Sequence, residues 1–225
     1  MNMPDATNPA IIPTPKIEED FYDWWERHAA VLALHAGPAP EIVLIGDSIT
    51  HLWPQNGPVS WRETFAGRSV ANLGFGWDRT QNVLWRLDHG EMDGWQPRLV
   101  ILNLGTNNFG ATERSRFQTP AEVLEGLLAV LGRLRKLTPG SRIVVMGVFP
   151  RGQRPDDFFR APITELNALL ARRLAGEPGV CFLDIGAGFL EPDGTLAAET
   201  MPDFTHPSEK GYAVWGRALA PLLGN

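Results

Sequence analysis

A chain of 225 residues suits one α/β domain and can bury about 70% of the surface its unfolded form exposes. Its 20 basic and 26 acidic residues give a formal charge of -6, with neither sign massed in a block. That leaves no basic track for a phosphate backbone and argues against a nucleic-acid partner. No stretch approaches the ~20 apolar residues of a membrane span. The one cysteine, Cys181, lies in the apolar stretch Val180-Cys181-Phe182-Leu183. It excludes a disulfide framework within the chain and reads as a buried core residue.

Residues 1–16 are polar and proline-dotted and read as an N-terminal extension to a domain spanning residues 17–225. They lack the basic start and apolar centre of a secretory signal, so a cytoplasmic location is expected, or a secreted or periplasmic one if a leader has been removed. Residues 17–34 have the spacing of an amphipathic helix packed on the outside. The first strand is expected at 42–45 and runs into Gly46-Asp47-Ser48-Ile49-Thr50. A second, at 69–73, is followed by Gly74-Phe75-Gly76-Trp77, and Asp78 with Gln81 reads as a capping box for a helix carrying 83–87. A third strand, 99–104, leads into Thr106-Asn107-Asn108.

The clearest helix covers 121–137, where Leu124, Leu127, Leu128, Leu131 and Leu134 form one stripe. Thr119 is its N-cap, Pro120 its first helical position and Glu122 the third residue past the cap. A fourth strand is expected at 143–147, then a polar segment, 151–160, that carries Phe158-Phe159 and reads as a flap. A fifth strand spans 180–184. Asp203 and His206 follow in a loop, and Ser208 opens a last helix reaching Leu223. Apolar strands alternating with helices predict a five-stranded parallel sheet covered on both faces, a single three-layer α/β/α domain.

In such a sheet, ligands bind beyond the carboxyl ends of the strands. The Ser48, Trp77–Asp78 and Asn107 loops all fall there. A serine hydroxyl needs a base within hydrogen-bond reach, and His206, steered by Asp203, supplies the imidazole and carboxylate of an activated nucleophile. An oxyanion then needs donors: the backbone N–H of Ser48, a backbone N–H in the Gly74–Trp77 loop and the Asn107 amide. Taken singly, each feature also reads as a turn or cap. His28, His35, His51 and His89 read as packed or solvated residues, with no metal site among them. Eight tryptophans are many for this length. Trp53 and Trp77 suit walls of a substrate site, whereas Trp85, on a helix stripe with Leu84 and Leu87, suits the core. Trp95 neighbours the site loops in sequence.

At these residues the chain resembles the SGNH (GDSL-type) hydrolases, nearest to the intracellular platelet-activating factor acetylhydrolase catalytic-subunit branch. The resemblance runs through Ile45-Gly46-Asp47-Ser48, Trp61-Arg62-Glu63, Asn72-Leu73-Gly74, Thr80-Gln81 with Val83-Leu84-Trp85-Arg86-Leu87, Gly105-Thr106-Asn107-Asn108, Pro150-Arg151-Gly152-Gln153, and Asp203 with His206. It implies a flavodoxin-like sheet and a cofactor-free serine esterase acting on a small-molecule acyl ester, most simply an acetyl ester. Ser48 is then nucleophile, His206 base, Asp203 orienter and Asn107 oxyanion donor. Trp77 stands where the family has its oxyanion glycine, with Gly76 the fallback donor. Asp47, Gly76 and Trp53 are expected to contact substrate, and a homodimer follows by analogy. The turn has Thr50 in place of the second glycine of a Gly-x-Ser-x-Gly elbow, which argues against an ordinary α/β-hydrolase. A carbohydrate O-acetyl esterase, a lipid-type acetylhydrolase and a non-catalytic binding module on the same fold remain open readings. A flavin or nucleotide binder is weaker, because the first loop lacks a glycine-rich cradle.

Overall fold

The five apolar runs form five strands: β1 (Ile42–Gly46), β2 (Val70–Gly74), β3 (Leu99–Asn103), β4 (Arg142–Met146) and β5 (Val180–Leu183). All pair in parallel in the order β2-β1-β3-β4-β5 in this computed structural model, which describes residues 7–224. The first six residues of the expected N-terminal extension lie outside the described residues. From β1 the chain steps to one side to make β2, then crosses back to make β3. The loops after β1 and β3 therefore diverge at a switch point, where a crevice opens at the carboxyl edge.

Side chains alternate across the sheet with a period of two. Val43 and Ile45 enter the core beneath α1 (Trp24–Ala33), α5 (Thr80–Leu87), α6 (Pro120–Leu137) and α7 (Arg160–Leu174). Ile42 and Leu44 enter the opposite core. That second core is covered by α2 (Ser48–His51), α3 (Trp53–Asn56), α4 (Pro58–Thr64) and α8 (Glu209–Leu223). The result is the three-layer α/β/α, flavodoxin-like arrangement that the strand–helix alternation predicts. Thr119 caps α6 by accepting from Glu122 N at 3.3 Å, while Glu122 accepts from Thr119 N at 2.8 Å. Ser208 caps α8.

Three expectations about elements are corrected. The first helix begins at Trp24, seven residues later than its apolar spacing suggests, because Asp23 accepts from both Trp25 N and Glu26 N and so starts it. Residues 17–22 instead form a strap over the sheet edge. The strap is tied down by Glu18, which receives Arg79 Nη1 at 2.8 Å and Thr112 Oγ1 at 2.7 Å. Next, α5 is capped by Arg79, whose N–H donates to Asn82 Oδ1 at 2.8 Å. Asp78 is drawn away from a capping role by Trp24 Nε1 and Arg86 Nε, at 2.9 and 2.8 Å. Finally, β5 is an edge strand and only half-buried, so Cys181 is not sealed in the core.

Candidate active site

Ser48 opens α2 directly beyond β1. Asp47 holds this sharp turn by accepting from Ile49 N at 2.9 Å. Two glycines let the turn lie close on its neighbours. A Cβ on Gly46 would sit 2.2 Å from Asn103 O, and one on Gly74 would sit 2.2 Å from His51 N. No side chain fits either gap.

His206 reaches Ser48 from the loop before α8. Its Nε2 lies 2.8 Å from Ser48 Oγ, and its Nδ1 lies 2.7 Å from Asp203 Oδ2. The other carboxylate oxygen of Asp203 accepts from His206 N at 2.7 Å and Thr205 N at 3.0 Å. Burial opposes ionisation of Asp203, but these bonds together outweigh it and hold the carboxyl below its ordinary range. Hydroxyl, imidazole and carboxylate thus stand in one hydrogen-bonded file, assembled from residues 158 positions apart. An arrangement of this kind can move a proton from Oγ to the ring while the carboxylate steadies the resulting imidazolium.

The expected donors converge on the same place. Asn107 follows β3, and its Nδ2 donates to Asp78 O at 3.1 Å, which leaves a second amide hydrogen free. Arg79 Nε donates to Asn107 O at 3.0 Å, so the second and third loops are stitched together. Trp77 has a φ of 62°, a left-handed conformation that favours glycine and is costly for a bulky residue. Its loop is fixed from below by Asp78, 2% exposed, which is paired with Arg86. Arg86 in turn pairs with buried Glu91, whose carboxylate lies 2.7 Å from His28 Nδ1. Burial works against the Arg86 charge, yet Glu91 and Asp78 overcome it and hold the guanidinium above its usual pKa.

Ser48, Asn107, Asp203 and His206 open into a cleft of about 380 Å³ that also holds Trp77 and Arg151. Asp20, Phe21 and Leu52 complete its wall. A larger hollow of about 600 Å³ lies between α7 and β5, but its lining, which includes Ile163, Phe182 and Leu190, contains no histidine to activate a nucleophile. Two substrate-contact expectations are corrected. Trp53 is fully buried, stacks on Trp215 at 4.4 Å and donates to Ser60 Oγ at 3.0 Å; it belongs to the core beneath α8. Asp47 is also fully buried, and burial pushes its carboxyl up to about 7. It shapes the turn and is not exposed to a ligand. Gly76 lies between the cleft and the strap, where a Cβ would meet Asp20 Oδ2 at 1.8 Å. Trp95 precedes β3 and stacks on His35 at 4.1 Å, away from the cleft. His51 is buried against Tyr22, and burial lowers its pKa to about 4, so it is a packed neutral residue.

Sequence reasoning missed Asp20, Phe21 and Arg151. The first two were hidden inside a helical pattern. The third lay in plain view, within the Pro150-Arg151-Gly152-Gln153 block early in the long loop after β4.

Comparison with known proteins identifies the family. Residues 44–214 match the GDSL-like lipase/acylhydrolase family. The chain is 38% identical over 223 residues to the platelet-activating factor acetylhydrolase IB subunit alpha1 of Homo sapiens, covering 98% of this chain and 92% of that protein. It is 32% identical to the alpha2 subunit of Gallus gallus, covering 96% and 91%. Among solved structures, a GDSL-like lipase from Bacteroides thetaiotaomicron superposes with a TM-score of 0.70 at 18% identity, over 88% of this chain and 96% of that one. The acetyl xylan esterase AlAXEase gives 0.67 at 16% identity, over 81% and 99%. These last two show a shared fold. The fold and cleft are those of a carboxylic ester hydrolase. The chain belongs to the GDSL-like lipase/acylhydrolase family, whose members act on small ester substrates.

Proposed function

We propose that this protein is a serine esterase that removes short acyl groups, acetyl foremost, through Ser48, His206 and Asp203. The observation that carries this reading is the 2.8 Å contact between His206 Nε2 and Ser48 Oγ, backed by the 2.7 Å contact to Asp203. His206 takes the Ser48 proton as Oγ bonds to the acyl carbon. The negative charge on the carbonyl oxygen meets Ser48 N–H, the free Asn107 amide hydrogen and an N–H of Gly76 or Trp77. Collapse breaks the ester C–O bond, and His206 returns the proton to the departing alkoxide. Water then repeats the sequence on the acyl-enzyme, releasing the acid and restoring Ser48.

A short acyl group suits a cleft of about 380 Å³ that acyl and alcohol parts must share. The exposed rings of Phe21 and Trp77 at its wall favour, as a second reading within the class, a carbohydrate alcohol, whose apolar ring face stacks on aromatic side chains. Hydrolysis of a chromogenic acetyl ester by the wild type and Ser48→Ala tests the nucleophile. Full activity in a folded alanine variant would overturn it. Acyl chains of increasing length and O-acetylated sugars then separate the two alcohol classes.

A further inference from the structure

Gly76 and Trp77 form the centre of a tight turn in which Asp78 N donates to Phe75 O at 3.2 Å. Trp77, at the third position of that turn, has a φ of 62°, whereas Gly76, at the second, does not enter the left-handed range. This is the pattern of a type II turn, which prefers glycine where this chain has tryptophan. The turn has an alternative. Rotating the peptide between its two central residues gives a type I turn, in which the third residue takes a negative φ and suits most side chains. For a tryptophan that rotation relieves left-handed strain. A partner must therefore hold the peptide in the orientation observed.

Tyr22 meets that need. Its hydroxyl donates to Gly76 O at 3.3 Å, and its ring lies against Gly76, where a Cβ would sit 3.0 Å from Tyr22 Cε1. The ring also packs edge-on against buried His51 at 4.7 Å, so the strap delivers the phenol to a fixed place beside the turn. Burial raises the phenol above its usual pKa and keeps it a proton donor. A trans peptide points its C=O and N–H in opposite directions. With Gly76 O turned to Tyr22, which is not part of the cleft lining, Trp77 N–H is turned the other way. Trp77 itself lines the cleft with Ser48 and Asn107, and its N–H finds no backbone acceptor among the described residues.

We infer that Tyr22 is a positioning residue: its hydroxyl holds the Gly76–Trp77 peptide so that the N–H of Trp77, not that of Gly76, is the oxyanion donor of this loop. The inference rests on the esterase reading above and deepens only its account of the oxyanion. Rotation of the peptide would put a carbonyl oxygen where the donor stands, and that oxygen repels the charge developing in the transition state.

The test is a double-mutant cycle of Tyr22→Phe and Trp77→Gly, assayed on a chromogenic acetyl ester. Phenylalanine keeps the ring and its packing and removes only the hydroxyl. In the tryptophan background, Tyr22→Phe is expected to lower kcat about fivefold, as loss of one neutral hydrogen bond allows, with KM nearly unchanged. In the Trp77→Gly background the same substitution changes kcat by less than about twofold, because glycine keeps the positive φ unaided. An equal loss in both backgrounds overturns the inference and marks a merely structural tyrosine. So does an unchanged kcat in Tyr22→Phe, or a loss confined to KM. A second readout is the nuclear Overhauser contact between Gly76 Hα and the N–H of residue 77, strong in the observed turn and weak in the rotated one. It is expected to weaken in Tyr22→Phe and to return when Trp77→Gly is added. An undiminished contact in Tyr22→Phe overturns the inference. If the wild type cleaves no ester, the esterase reading falls, and this contact still decides whether Tyr22 sets the peptide.

Discussion

Two carboxylate–histidine pairs in this molecule share the same 2.7 Å spacing and do different work. Asp203 and His206 lie at the cleft, where the ring's far nitrogen meets the Ser48 hydroxyl. Glu91 and His28 lie sealed beneath α1, where the carboxylate is completed by Arg86 and, through it, Asp78. The first pair is half exposed and ends on a group that can react. The second is closed on itself by charge and anchors the loop that carries Trp77. Pair geometry alone therefore does not define a catalytic site; what stands at the open end of the file does.

Removing the open end gives the largest effect. Ser48→Ala is expected to lower kcat by roughly a thousandfold or more while leaving the melting temperature nearly unchanged, as steady-state assay and thermal denaturation would show. Removing the closed pair's counterion reverses the pattern. Arg86→Met leaves Asp78 and Glu91 buried without a partner and is expected to cost about 3–5 kcal/mol of stability in urea unfolding. A variant that unfolds normally but has lost activity would show that the sealed array acts in catalysis directly.

A third expectation concerns pH. Asp47 titrates near 7 in the folded chain against an ordinary 3.8, because burial disfavours its charge. Between those values the native state holds a proton that the unfolded state has released. Its contribution to stability is thus complete below pH ~4 and is lost as pH rises through about 7. Asp47→Asn keeps the acceptor for Ile49 N and is expected to flatten the fall in melting temperature between pH 5 and pH 8. An unchanged slope would mean that Asp47 remains ionised. The smallest effect is expected from Trp77→Gly, which trades relief of the left-handed backbone against glycine's entropy and lost packing, for a net change within ~1 kcal/mol. Its clearer signature is a shift toward longer acyl chains in the substrate profile, because the indole no longer occupies the wall.

The sheet was legible because its strands are mostly apolar on both faces, and a Val/Ile/Leu-rich run has few other homes. Ser48 and Asn107 stood out because loops after parallel strands must converge, and Asp203 with His206 because a carboxylate and an imidazole three residues apart precede the last helix. The reading failed where local pattern and tertiary partner disagreed. Residues 17–23 carry helical spacing, yet Glu18 is held by Arg79 and Thr112, and Asp23 ends the extended strap by capping. Trp53 sits among prolines and glycines like a surface aromatic, yet Trp215 and Tyr212 enclose it. Such contacts join residues 61 and 94 positions apart at Glu18, and farther still at Trp53, and no local window contains them.

The file from Ser48 to His206 has a kinetic corollary. Its members come from the turn after the first strand and the loop before the last helix, so no partial assembly lacking either end possesses a reactive hydroxyl. Turnover of an ester is accordingly a late reporter of refolding, expected to lag behind recovery of helical circular dichroism and to appear only as α8 docks.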